Sequence, residues 1–407
     1  MKNWTDIGKK IQMIAFLLII IVFGFMSKPY NVFIQMAFYP YFNEEEESKT
    51  LTETIQYVIS SYNDAIWQRV NFINLAGVVE DKLNMDALYN NKGIYVDKDK
   101  YIMSGAAKTS TDYEIEQMVA LKEYLDEKKI DLLYVNALTK YVDDSIFAEN
   151  FGVESYCNRN ADKFLSRLQE NNIDYIDLRT YLEEGIDIKD MFYRTDHHWT
   201  TTSGLWACGV IADTLNERYN YSIDTSLFDK SNYMMKKMEN CWLGEQGFMM
   251  SETYTGLDDF TWIRPNFETD IILSLANQGE YPGTFDMLVN SELYDIDIRE
   301  YNYPSFHYSY FYMGLSGSNI HNNKVDDGKI LLVGDSYSQV VSPFLSLGVS
   351  DLSTIVMRSY GGDLQDYIEA NDFDTVIILY APWMIGSHDD PESANYRMFD
   401  FVDLEGK

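Results

Sequence analysis

Four short runs of apolar, mostly branched residues constrain the fold of this chain more than any other feature: Ile130 to Val135 (IDLLYV), Tyr175 to Leu178, Ile330 to Asp335 (ILLVGD) and Thr375 to Tyr380 (TVIILY). A strand with one wet face alternates polar and apolar residues; these barely alternate, so each has to be covered on both faces. Between them lie helical patterns, Ile115 to Lys128 and Asn160 to Glu170. Strands alternating with helices predict an α/β fold, a mainly parallel sheet flanked by helices. With 407 residues, 46% of them hydrophobic, the chain can bury a large core in one or two domains.

Outside this body the pattern changes. Ile55, Val58, Ile59, Tyr62, Ile66 and Val70 recur at helical spacing, which predicts an amphipathic helix within Thr50 to Leu83. Gly93 to Val96, a polar turn at Asp97 to Lys100 and Tyr101 to Met103 read as a short hairpin. The acidic, aromatic segment from about 228 to 307 reads as an insertion. The expected organisation is therefore an amino-terminal tip and anchor over 1–30, a helical stalk over 31–90 and an α/β body over 91–407.

Residues 11–26 (IQMIAFLLIIIVFGFM) are nearly free of charge and, with their flanks, approach the roughly 20 residues of a spanning helix. Lys2, Lys9 and Lys10 precede the run, whereas Lys28 and the acids Glu44 to Glu47 follow it, so the amino terminus is expected inside and the body outside the cell membrane. A cleaved signal peptide is the rival reading, and it gives a secreted body. Basic residues number 32 against 64 acidic ones, a net charge of −32 with no basic patch, which excludes nucleic acid as a partner. Cys157, Cys208 and Cys241 form no CxxC pair, so neither a disulfide framework nor a zinc module is expected, although a single bridge stays open.

Two segments carry chemistry. In the first, the apolar run Ile330 to Val333 leads into Gly334-Asp335-Ser336 and a predicted helix. A serine there stands at the carboxyl end of a strand, where α/β proteins place their sites, with backbone N–H groups aimed at a substrate oxygen. Helix capping by Asp335 or Ser336 is the plain alternative. The second is Arg194-Thr195-Asp196-His197-His198-Trp199, which holds two of only five histidines. A serine hydroxyl needs an imidazole to take its proton, and that imidazole works best when a carboxylate orients it. In extended backbone Asp196 and His198 share a face, so Asp196 can orient His198 while His197 points elsewhere. A metal site on Asp196, His197 and His198 is the rival; it is not expected, because adjacent histidines rarely converge on one ion and no HxH or HxxxH pattern occurs.

The Gly334-Asp335-Ser336 box and the Asp196-His197-His198-Trp199 box resemble those of the DHHW proteins and their relatives, the membrane-anchored SGNH-hydrolase-like proteins of the alginate O-acetylation type. The resemblance extends from about residue 90 onward and implies an SGNH-hydrolase-like, flavodoxin-like fold. It also implies Ser336 as nucleophile with Asp196 and His198 as acid and base, the Asp and His preceding the Ser in the permuted order of that subgroup. The Gly-x-Asn-Asp block of ordinary SGNH hydrolases is missing, so the oxyanion donors are the Ser336 N–H and a second group for which Gly317 or Asn319 is the candidate, the Gly/Ser/Asn cluster otherwise being a turn.

The expected activity is transfer of acetyl groups to hydroxyls of a cell-surface or secreted polysaccharide through an acyl-serine. Esterase action by the same residues, a non-catalytic sugar-binding module and a metal hydrolase are the alternatives. The resemblance implies no cofactor, the acetyl group coming from an acyl ester or an integral-membrane acyltransferase partner. Arg194 is a candidate contact for an acidic acceptor. Trp199, Trp383 and Tyr337 are candidates for substrate contact, the tryptophans by stacking on sugar, with core packing the alternative for all three and the stronger reading for Trp383 and Tyr337.

Overall fold

The computed structural model describes residues 13–18, 21–22, 26, 69–83, 93–275, 279–289 and 317–404. The chain divides into two units, Met1–Leu83 and Asn84–Lys407. In the first, residues 13–18, 21–22 and 26 of the apolar run are helical, as is α1 (Arg69–Leu83). Among the described residues no helix is long and apolar enough to cross a membrane. The remainder of the apolar run and the amphipathic pattern from Ile55 to Ile66 lie outside the described residues.

In the second unit β1 (Ile94–Val96) and β2 (Ile102–Ser104) make the expected antiparallel hairpin. There follow α2 (Asp112–Lys128), β3 (Asp131–Asn136), α3 (Ser145–Phe151), α4 (Cys157–Glu170), β4 (Asp174–Asp177) and α5 (Thr201–Tyr219). The middle of the unit holds β5 (Tyr233–Trp242), α6 (Glu245–Met250), α7 (Glu252–Thr255), β6 (Asp258–Pro265), β7 (Ile271–Leu275) and β8 (Gly279–Gly283). After β9 (Ser318–Asn322) come β10 (Lys329–Gly334), α8 (Ser338–Leu345), β11 (Asp351–Ile355), α9 (Leu364–Ala370) and β12 (Thr375–Tyr380).

The main sheet runs in the order β4-β3-β12-β10-β11-β9-β7-β8. The four apolar runs are β3, β4, β10 and β12, all parallel, with β11 parallel beside β10. Every residue of β12 is buried: Ile377 and Leu379 face one core cluster, and Val376, Ile378 and Tyr380 face the other. That two-sided cover is why these runs do not alternate. The expectation of a mainly parallel sheet needs correction, because β9, β7 and β8 add an antiparallel half and the sheet is mixed. β7 and β9 show the alternating burial of strands with one covered face.

The segment from 228 to 307 has a double use. Its β5 and β6 pair with each other as a separate antiparallel ribbon, whereas β7 and β8 extend the main sheet. Residues 290–307 lie outside the described set.

The packing of two helices explains how distant segments meet. α5 begins directly after the His-His segment, and α8 directly after Gly334-Asp335-Ser336. They cross closely at Gly204, where a β-carbon would lie 1.7 Å from Val340 Cγ1, and the buried Cys208 Sγ donates to the Val341 carbonyl at 3.4 Å. Side chains this small let the helices touch and bring their amino termini to one rim of the sheet.

Candidate active site

The rim is formed by the carboxyl ends of the parallel strands. Gly334 ends β10, and a β-carbon there would lie 2.3 Å from Ser338 Oγ, so the turn into α8 needs glycine. Asp335 is fully buried and bridges two strand ends, its Oδ1 accepting the Tyr337 N–H at 2.8 Å and its Oδ2 the Ala381 N–H at 2.8 Å. Burial raises its pKa, and these two N–H donors oppose that. Neither residue caps α8, whose N-cap is Tyr337 with no side-chain cap: Asp335 holds the turn ahead of the helix, and the half-buried Ser336 side chain turns to a histidine.

Ser336 Oγ lies 2.7 Å from His198 Nε2, and His198 Nδ1 lies 2.6 Å from Asp196 Oδ1. A carboxylate can only accept, so the His198 proton sits on Nδ1 and the Nε2 lone pair faces the serine hydroxyl. His198 is 3% and Asp196 0% exposed, so the pair is shielded from water. The Ser336 N–H makes no hydrogen bond among the described residues and is the group available to a developing oxyanion.

The local backbone differs from the extended form that the sequence suggested. Residues 194–198 form a series of bends closed by an antiparallel bridge between Phe192 and Trp199. Asp196 Oδ1 also accepts the His198 N–H at 2.9 Å, a short Asx-type turn that brings the two side chains together. Asp196 Oδ2 accepts the Glu245 N–H at 2.8 Å from the start of α6. Gly244 allows that approach: a β-carbon on it would lie 2.4 Å from Asp196 Cβ. Nothing in the sequence marked Gly244 and Glu245 as parts of the site, since they belong to the segment read as an insertion.

The other expected site residues divide. Trp199 is buried, and its Nε1 donates to the Tyr337 carbonyl at 3.2 Å, which is the packing role. Tyr337 is also buried, and its hydroxyl donates to the His197 carbonyl; burial pushes its pKa well up. Trp383 is half-buried with its ring 5.2 Å from Tyr337 and 5.9 Å from His197, at the wall of a cleft, so it is open to contact.

Arg194 does not face an acceptor. Its guanidinium donates to the Thr255 carbonyl and, at 3.1 Å, to that of Leu257, pinning the turn between α7 and β6. Gly317 and Asn319 are not at the serine turn either. The Gly317 N–H donates to Thr354 O at 2.8 Å, and the Asn319 amide to Asp351 Oδ1 at 3.2 Å, both within the antiparallel half of the sheet.

Asp196, His197 and His198 place ligand-type atoms within 4.8 Å of one another. Both nitrogens of His198 and both oxygens of Asp196 take part in the hydrogen bonds above. Burial first, then the neighbouring His198 ring, lowers the His197 pKa. Cys157, Cys208 and Cys241 are all free and buried.

The fold is an SGNH-hydrolase-like α/β fold with a mixed sheet. Residues 101–238 match the family model described as "SGNH hydrolase-like domain, acetyltransferase AlgX", which bears out the family resemblance carried by the two boxes. The match spans Asp196 and His198 and stops short of Ser336. Among solved structures, Bacillus cereus PatB1 with a sulfonyl adduct shares 18% identity and a TM-score of 0.60, over 76% of this chain and 98% of that one. A second PatB1 structure gives 16% identity and a TM-score of 0.58, over 76% and 99%. A DHHW family protein from Eubacterium siraeum shares 14% identity over 70% of this chain and 88% of its own, with a TM-score of 0.50. These likenesses show the fold. No curated protein matches the chain in sequence.

Proposed function

We propose that the protein is an O-acetyltransferase that acetylates hydroxyls of a polysaccharide through an acyl-Ser336 intermediate. The observation that carries this reading is the continuous relay Ser336 Oγ, His198 Nε2, His198 Nδ1, Asp196 Oδ1, with links of 2.7 and 2.6 Å. Ser336 Oγ attacks the carbonyl carbon of an acetyl ester while its proton passes to His198 Nε2. The oxyanion forms against the Ser336 N–H. Collapse expels the donor alcohol, which takes the proton from His198 and leaves acetyl-Ser336. A sugar hydroxyl then attacks the acetyl carbon, gives its proton to His198, and Ser336 leaves and recovers that proton. Asp196 keeps the imidazole in the required tautomer and offsets the imidazolium charge.

The acceptor class rests on the resemblance to alginate O-acetylation proteins and on the acetyltransferase family matched by residues 101–238. A cleft of about 280 Å³ beside the triad is lined by the aromatic rings of Trp383 and Tyr141, by apolar Met249 and by polar His197, Gln246 and Thr139, a mixed lining suited to a sugar. The apolar run over 11–26 and its basic flank support an outward-facing body anchored in the membrane, with an integral-membrane acyltransferase as the acetyl source.

The test uses the full chain in mild detergent, a chromogenic acetyl ester and an oligosaccharide acceptor. Acetate should leave the ester and appear on sugar, with activity falling at least about 1,000-fold in Ser336→Ala and His198→Ala and unaffected by chelator. PatB1 carries a sulfonyl adduct in one structure; a sulfonyl fluoride should likewise add mass to this chain at Ser336 and not to Ser336→Ala. Turnover that survives Ser336→Ala refutes the serine mechanism, and acetyl delivered only to water makes the protein an esterase.

A further inference from the structure

Lys140, four residues past the end of β3, is only 5% exposed. No carboxylate lies within 4.0 Å of its ammonium among the described residues. Its Nζ donates to the Asp196 carbonyl at 2.7 Å and the Arg194 carbonyl at 3.0 Å, and stands 4.3 Å over the Tyr101 ring. Asp258, Asp196 and, more weakly, Asp97 attract the charge at longer range, and Arg194 opposes it. Burial outweighs these attractions and brings the lysine down to about 7. A methionine would fill the same space without the desolvation penalty; what the lysine adds is its pair of hydrogen bonds to these carbonyls.

What it does is visible in the peptides it holds. Lys140 grips the carbonyls on either side of Thr195 from one side. From the other, the Asp258 carboxylate accepts the Arg194 N–H at 3.0 Å and the Thr195 N–H at 2.7 Å, while the Gly247 N–H donates to the Thr195 carbonyl at 2.8 Å. The backbone from which the Asp196 side chain springs is thereby fixed in each direction. We infer that Lys140 is a positioning residue for the Ser336–His198–Asp196 relay: its ammonium clamps the Arg194 and Asp196 carbonyls and so keeps the Asp196 carboxylate on the His198 ring. This inference rests on the acyl-transfer reading above.

The experiment compares full-length wild type with Lys140→Met by steady-state kinetics, thermal melting and the low-field proton resonance of the His198 Nδ1–H. The clamp predicts a kcat lower by about 100-fold with KM within about threefold, since a shift of the order of 1 Å in a catalytic group costs that much. The resonance should move upfield or broaden. An unmoved resonance, or wild-type kcat, overturns the inference. Should Lys140→Met fail to fold, Lys140→Gln replaces it, keeping two N–H donors on a side chain one atom shorter. A kcat lower by about tenfold or more with a shifted resonance then supports the clamp, and wild-type values of both overturn it. If the wild type releases no acetate, the acyl-transfer reading fails instead, and the resonance still reports on the clamp.

Discussion

Gly244→Ala is the sharpest test of how the site is held, because the substitution adds one methyl group outside the reacting atoms. The new β-carbon would lie 2.4 Å from Asp196 Cβ, 2.6 Å from the Thr195 carbonyl oxygen and 2.8 Å from Asp196 Cα. None of these atoms is the end of a flexible side chain, so relief requires the start of α6 to withdraw. Moving from 2.4 Å to an ordinary contact near 3.4 Å is a retreat of about 1 Å. The Glu245 N–H, now 2.8 Å from Asp196 Oδ2, would then stand near 3.8 Å, beyond hydrogen-bond range. Losing one hydrogen bond to an ionised acceptor costs about 1.5–3 kcal/mol, and Asp196 becomes free to rotate off His198. We therefore expect kcat for acetyl-ester cleavage to fall about 10- to 100-fold, with KM changed far less. Gly361→Ala serves as the control, since a β-carbon there meets nothing within 4 Å. Wild-type kcat in Gly244→Ala would show that the α6 contact does not govern the geometry of the relay.

Two further outcomes follow from the same contacts. Gly204→Ala sets a β-carbon 1.7 Å from Val340 Cγ1 and should lower stability by about 1–3 kcal/mol, read as a lower denaturation midpoint, with activity falling because the two helix starts separate. Lys140 gives a pH signature: folding takes its pKa from 10.5 to about 7, so between those values the unfolded chain binds the extra proton and stability rises with pH. Denaturant melts at pH 6 to 10 should show wild type gaining on Lys140→Met by up to about 1.4 kcal/mol per pH unit above pH 7, and a flat difference would refute the assignment.

The sequence spelled out β3, β10 and β12 because these central strands are buried on both faces, a pattern that needs no knowledge of neighbours, whereas the edge strand β4 has only Ile176 buried and β11 is a parallel strand that the sequence reading does not include. Thr375 to Tyr380 coincides with β12, and Ile130 to Val135 is one residue out of step with β3. The antiparallel half was not legible. β8, GEYPG, has almost nothing buried, so its pairing with β7 left no apolar trace. The relay was legible for a different reason, since its members are chemically rare and their types suffice to suggest roles, whatever backbone carries them. Extended backbone would put Asp196 and His198 on one face, whereas a tight Asx-type turn is what brings them together. What sequence could not supply is everything that acts through main-chain atoms: the Gly244 approach, the Glu245 N–H on Asp196 and the Lys140 grip on two carbonyls. Such contacts impose at most a size limit or a donor on one residue, and in a single sequence one glycine or lysine looks like any other. The same reasoning explains Arg194. Its place beside the relay suggested a substrate contact, but a guanidinium has five donors in a fixed fork, and the carbonyls that end α7 and precede β6 engage that fork. A charged residue beside a catalytic motif can as easily be part of the frame that holds the motif, and only the positions of the neighbouring carbonyls separate the two roles.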